Sequence, residues 1–202
     1  MSNLLKEKNL REIYKKSRAI PISNFNLYFP FIIGIIFMIL LIFSNISALE
    51  SYAKIDSLIS FLFSSLFSTL GFLIAGYTIF CTITPLDLQK KMIEYTDKTT
   101  GLIFFKRVHF TFIRVFIYFL LFSFLLFIIY LLKGININLS DYIVKPKNFN
   151  LLCKYINYLV LSFLATGTTF LFCELSSFIF NIYNSIASTL HWSITNQSDT
   201  EK

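Results

Sequence analysis

The sequence predicts an all-α integral membrane protein: four transmembrane helices, both termini in the cytoplasm, and an amphipathic cytoplasmic extension of the fourth helix. Three observations carry this. The 202-residue chain is 55% hydrophobic and only 14% charged, where a soluble domain carries about 25% charged residues. Four long apolar runs punctuate it, at about residues 27–47, 57–84, 109–132 and 155–180, and about 20 apolar residues cross a bilayer as a helix. The basic residues, finally, are shared unevenly between alternate connecting segments, which the positive-inside rule converts into an orientation.

The elements follow in order. Residues 1–26 form a basic cytoplasmic segment with Lys6, Lys8, Arg11, Lys15, Lys16 and Arg18. Leu4, Leu5, Ile13 and Tyr14 are spaced for a short amphipathic helix on the membrane surface, and a solvated tail is the equal alternative. The first run, Leu27–Phe43, holds Pro30 in its first turn, where a helix tolerates it. It exceeds the roughly 7–15 residue core of a cleaved signal peptide, so it reads as a signal anchor. The short connector Ser44–Asp56 makes the first two helices an antiparallel hairpin.

The second run, Ser57–Pro85, has no charge over 29 positions and ends in proline. Ser60, Ser64, Ser68, Gly71 and Ala75 recur three or four residues apart. In lipid, small residues at that spacing let another backbone approach, so this helix is expected to be the packing spine, with Ser64, Ser68, Gly71 and Ala75 at the contact. Residues 86–110 follow as a polar segment with Lys90, Lys91, Lys98, Lys106 and Arg107, and helical spacing over Leu86–Tyr95. Lys90, Lys91, Lys106 and Arg107 are the candidates for contact with a cytoplasmic partner or with lipid headgroups.

The third run, Thr111–Leu132, is bulky nearly all round, which predicts the most lipid contact. Pro146 argues against a long helix in the connector after it. The fourth run reaches about Phe180, and Ile182, Tyr183, Ile186, Leu190 and Trp192 keep a three-to-four spacing beyond it. That spacing predicts the amphipathic extension, with Trp192 as an interfacial anchor. Residues 27–192 thus form one four-helix transmembrane domain, and 193–202 a cytoplasmic tail.

With four spans, twelve basic residues fall on the side of the termini and five on the other, Arg114 standing apart. Both termini are therefore placed in the cytoplasm. The formal charge of +7 then reflects orientation and anionic headgroups, and no nucleic-acid binding is expected.

Two charges lie inside the apolar runs, Arg114 and Glu174. Counted from Phe110 and Phe180 at 1.5 Å per residue, they sit roughly 6 and 9 Å deep from the same side. Ionisable groups at depth pair or line a water-filled path, so an ion pair between them is expected, within or between subunits. Snorkelling of Arg114 and an exit-marking role for Glu174 stand beside that reading.

The cysteines Cys81, Cys153 and Cys173 have no disulfide or metal spacing. There is no nucleophile with its base, no Gly-rich phosphate loop and no metal-ligand cluster, so neither an enzyme nor a cofactor is expected.

The stretch GFLIAGYTIFCTITP, residues 71–85, with the chain length, four spans and basic loop, resembles the membrane subunit of the Kiwa anti-phage defence system. The resemblance implies a bacterial inner-membrane homo-oligomer that senses phage contact and recruits a cytoplasmic DNA-binding effector. It carries over no site residues. A small ion channel or pore-forming effector that depolarises the membrane is the alternative.

Overall fold

The computed structural model describes Leu4, residues 6–134 and residues 149–200, without the side chains of 132–134, 192, 193 and 195–200. Among the described residues six helices follow one another: α1 (Leu10–Ser17), α2 (Asn24–Ser44), α3 (Ala48–Ile83), α4 (Leu86–Glu94), α5 (Phe104–Gly134) and α6 (Phe149–Thr200). Among the described residues there is no strand, only an isolated bridge between Thr96 and Ile103. Four helices, α2, α3, α5 and α6, are long and apolar enough to cross a membrane. The chain is thus an all-helical protein of the multi-pass membrane type. The connector 135–148, with Lys145, Pro146 and Lys147, and the Trp192 side chain lie outside the described residues.

The helices outrun their apolar runs. α3 starts at Ala48, so the first hairpin turns in three residues, not over Ser44–Asp56. The reason is local. Asn45 takes a left-handed conformation, φ 49°, at the end of α2. Ser47 and Glu50 then form a capping box, Ser47 Oγ accepting from Glu50 N and Glu50 Oε2 from Ser47 N. At the other end α3 stops at Ile83, two residues before Pro85, which disfavours helix in the residue ahead of it. α4 forms where helical spacing predicts it. α6 runs 52 residues, about 78 Å, through the segment expected to be a tail.

The chain divides into two compact units. One comprises Ser23–Ser68 and Phe119–Phe172, that is, α2 with segments of α3, α5 and α6. Its core is Leu41, Ile55, Ile59, Leu62, Leu66, Phe119, Leu126, Leu161, Leu164 and Leu171. Gly34 of α2 lies against α6, where Ser162 Oγ donates to the Gly34 carbonyl at 2.6 Å. A Cβ on Gly34 would overlap Thr166 Oγ1. Likewise a Cβ on Gly167 of α6 would run into the Phe122 ring of α5. The hairpin turn is tied to the start of α6. Tyr158 donates to the Ile46 carbonyl, Asn157 Nδ2 to Ala48 O and Ser51 Oγ, and Lys154 Nζ to Asn45 Oδ1. Of these, the Tyr158 bond gives the Ile46 carbonyl of the turn a donor.

The other unit comprises Met1–Ile22, Thr69–Tyr118 and Cys173–Lys202. Leu73, Phe80, Phe112 and Phe178 are buried in it. The Phe112 ring packs at 4.9 Å from Phe80 and 5.2 Å from Phe178. Tyr77 hydrogen-bonds His109 Nδ1 at 2.8 Å. α4 has no buried residue.

One expectation reverses. α5, read as the helix with most lipid contact, is the best covered, with 33% of its most apolar window buried against 17% for α2. A helix that is bulky all round can fill a core on one side as well as meet lipid on the other.

Candidate functional site

The charged residues of the second unit are organised around the N-terminal segment. Asn9 caps α1 by accepting from Glu12 N at 2.9 Å. The helix then docks on α5 with its C-terminal end toward Arg114. Arg114 Nη1 donates to Ile20 O at 2.6 Å and to Ser17 O at 3.2 Å. A cation at a helix C-terminus meets the negative end of the helix dipole and the carbonyls that have no intrahelical donor. Ser17 and Ile20 are themselves buried. Tyr14 sets its ring edge-on to Tyr118, 6.2 Å between centroids.

A second clasp lies one end further. Glu7 accepts from Lys106 Nζ at 2.6 Å and also pairs with Lys16. Burial pushes the Glu7 carboxyl up, and the hydrogen bonds from Lys106 and Lys16 outweigh it, leaving it below the usual carboxylate range. The N-terminal segment thus forms a helix, α1, and is tied to α5 at three levels.

The sequence-derived candidates divide. Arg114 and Glu174 are both buried, at 5% and 2% exposure, and both lie within electrostatic reach of the Tyr118 hydroxyl. The role of Arg114 that sequence does not disclose is its grip on Ser17 and Ile20. Lys106 is buried on Glu7, and Arg107 donates to Asp97 Oδ1 at 3.0 Å. Both are engaged within the chain. Lys106 is buried, against its expected contact with a partner or headgroups, and Arg107 stays half-exposed. Lys90 and Lys91 are exposed on α4, Lys90 in a surface pair with Asp87.

The packing face expected on α3 meets no helix of its own chain. Ser64, Ser68, Gly71 and Ala75 are all exposed, and a Cβ on Gly71 would meet nothing within 4 Å. Within the chain α3 packs through its bulky face, Ile55, Ile59, Leu62, Leu66, Leu73 and Phe80. The small face runs unbroken from Ser57 through Ser60, Ser64, Ser68, Gly71, Ala75 and Thr78 to Thr82, every member exposed. Ser60, Thr78 and Thr82 return their hydroxyls to carbonyls of their own helix. The glycines that admit close neighbours are Gly34, Gly167 and Gly76.

Asp97 organises the loop between α4 and α5. Its Oδ2 accepts from Thr99 Oγ1, Thr100 Oγ1 and Thr100 N, and Gly101 completes the turn at φ 67°. The Thr100 and Thr99 hydroxyls, with Arg107 adding charge, hold this carboxyl down to about 2. A depressed folded value contributes stability above the unfolded value, about 3.9, and loses it as pH falls toward 2. Amide exchange at Thr100 is expected to stay slow from pH 7 to pH 4. Asp97→Ala should speed it at least several-fold, and an unchanged rate would show that the turn holds without the carboxylate.

Comparison of the chain with protein-family models, curated proteins and solved structures returns no match.

Proposed function

We propose that this chain is a bacterial inner-membrane scaffold and sensor subunit that oligomerises and recruits a cytoplasmic effector. The observation that carries the reading is the small-residue face of α3. It is smooth over seven helical steps, sits on a membrane-length helix, and is left open by the chain's own packing. In lipid, such faces bring helices together through close backbone contact. Resemblance to the Kiwa membrane subunit supports the same reading and gives it a context, anti-phage defence with a cytoplasmic DNA-binding effector.

α2 has 21 residues, about 31 Å, which matches a hydrocarbon core of about 30 Å. It runs antiparallel to α6, Asn45 meeting Lys154 and Gly34 meeting Ser162. The excess of basic residues on the side of the termini favours a cytoplasmic location for both.

The pore reading has the same open face in its favour, since hydroxyls can line a channel. Three of those hydroxyls are already satisfied by their own helix, which suits packing better. The test is a mass and a flux. The full chain in detergent should run as a multiple of 23.6 kDa, and Gly71→Leu should reduce it to one copy with unchanged helix content. A soluble protein should co-purify with the wild type at fixed stoichiometry, and liposomes containing the chain should carry no steady ion flux. A monomeric wild type removes the oligomer, and steady flux replaces the scaffold with the channel.

A further inference from the structure

We infer that one flank of α1 is a binding surface for anionic phospholipid headgroups, with Arg11, Lys15 and Arg18 as its cations. The inference needs only that the chain sits in a membrane, and it stands whether or not the chain oligomerises. At 3.6 residues per turn these three share an arc of roughly 60° on α1. All three are exposed, and among the described residues none of them is ion-paired. The side of α1 about a third of a turn away is taken up by the chain itself. Ser17 is buried there, Ile13 is half-buried, and Tyr14 sets its ring on Tyr118. Two of the apolar residues expected to meet lipid thus face the chain, and the cations are turned outward.

Charge in this unit is sorted, not mixed. Around α1 and the start of α5 the carboxylates are drawn inward: Glu7 onto Lys106 and Lys16, Asp97 onto Arg107 and its own turn. Glu12 lies off the stripe and is occupied by Lys8 N and Asn9 Nδ2. The stripe itself is positive only, so its counter-charge comes from outside the chain.

The place where α1 is docked decides which anion that is. Arg114 and Tyr118, which hold its second half, lie ten and fourteen residues into α5. Both are inside the stretch long and apolar enough to cross a membrane. A polar helix fastened there lies along the bilayer surface, where negative headgroups are dense and each cation adds to binding. Leu10, beside Arg11, is 57% exposed. It offers the acyl boundary an apolar contact that neither a soluble phosphate nor an acidic protein surface calls for.

Photolabelling tests this. The full chain is placed in phosphatidylcholine bilayers doped with a photoreactive lipid, either phosphatidylglycerol or phosphatidylcholine. Adducts on residues 7–20 are then counted by mass spectrometry. Phosphatidylglycerol should label this segment at least about fivefold more than phosphatidylcholine, the ratio that one surface cation contributes. Arg11→Gln, Lys15→Gln and Arg18→Gln together should bring the two probes level. Lys15→Gln alone should lower the ratio part of the way, and it serves if the triple variant fails to fold. Lys90→Gln, Lys91→Gln and Lys98→Gln remove equal charge from exposed positions of the same unit and should leave the ratio as it is. Equal labelling by the two lipids in the wild type overturns the proposal, as does an unchanged ratio in the α1 variants. An equal fall in the Lys90, Lys91 and Lys98 variant also overturns it, since the attraction is then a diffuse positive field. Loss of labelling to excess glycerol phosphate would make a soluble phosphate the ligand, and loss to polyglutamate an acidic chain; either replaces the lipid. None of these outcomes touches the mass that tests the oligomer.

Discussion

Replacing Gly34 by alanine is expected to destabilise the α2–α6 contact by about 2 kcal/mol, the middle of the range for forcing bulk into a packed core. Adding Thr166→Ala should restore most of that. The added Cβ would overlap Thr166 Oγ1, and that hydroxyl is fixed by its own bond to the Ser162 carbonyl at 2.8 Å. A β-branched side chain has few rotamers to retreat into. Either the helices part, weakening the Ser162 bond to Gly34 O as well, or Thr166 leaves its bond. Once Oγ1 is removed, the nearest atoms to the new Cβ are Thr166 Cβ at 3.3 Å and Ser162 O at 3.7 Å, which small shifts accommodate. The measurement is the unfolding midpoint in detergent for both single variants and the double variant. Gly34→Ala as stable as wild type, or a double variant no better than Gly34→Ala, would refute the close approach. Gly34→Leu should be worse than alanine and beyond rescue by Thr166→Ala.

That contact shows what the sequence can and cannot disclose. Four spans are legible because a bilayer demands about 20 apolar residues in a row, and a run is a one-dimensional signal. The helix ends are less so, because apolarity marks only the part that meets lipid. The start of α3 was written in Ser47 and Glu50, a capping signature, nine residues ahead of the apolar run. Gly34 stands alone among bulky residues and has no spacing to mark it, whereas the α3 stripe has spacing in abundance. Spacing proves a face smooth and is silent on what lies opposite, so the chain's own packing could use the bulky face of α3 and leave the smooth one open. The open side of α6 is hidden for a similar reason. Ile182 and Ile186 interleave with Tyr183 and Leu190 in one apolar pattern, and only burial separates the inward set from the outward one. The hold of Arg114 on Ser17 spans 97 positions, and no local pattern encodes it.

The second large effect is expected at Arg114. Arg114→Leu keeps the bulk and removes the donor, leaving the Ile20 carbonyl without it in a buried setting, while the Ser17 carbonyl keeps its bond from Ile20 N at 3.0 Å. An unsatisfied buried group costs roughly 1–3 kcal/mol, and loss of the cation from the helix C-terminus adds to it. The segment can escape that cost by undocking, which also opens the Glu7 clasp and the Tyr14–Tyr118 contact. Undocked, Arg11, Lys15 and Arg18 become better trypsin sites, and cleavage tracks the open population when opening is fast. In detergent, Arg114→Leu should be cut within α1 at least tenfold faster than wild type, with the unfolding midpoint of the remainder nearly unchanged. Arg114→Lys restores charge without the guanidinium's reach and should fall between. Glu7→Gln should give a smaller rise, and Glu7 being held below its usual range fixes the sign with pH. The clasp contributes fully above the unfolded carboxylate value, about 4.3, and loosens as pH falls below it. Equal cleavage of wild type and Arg114→Leu would mean that Arg114 does not hold the segment.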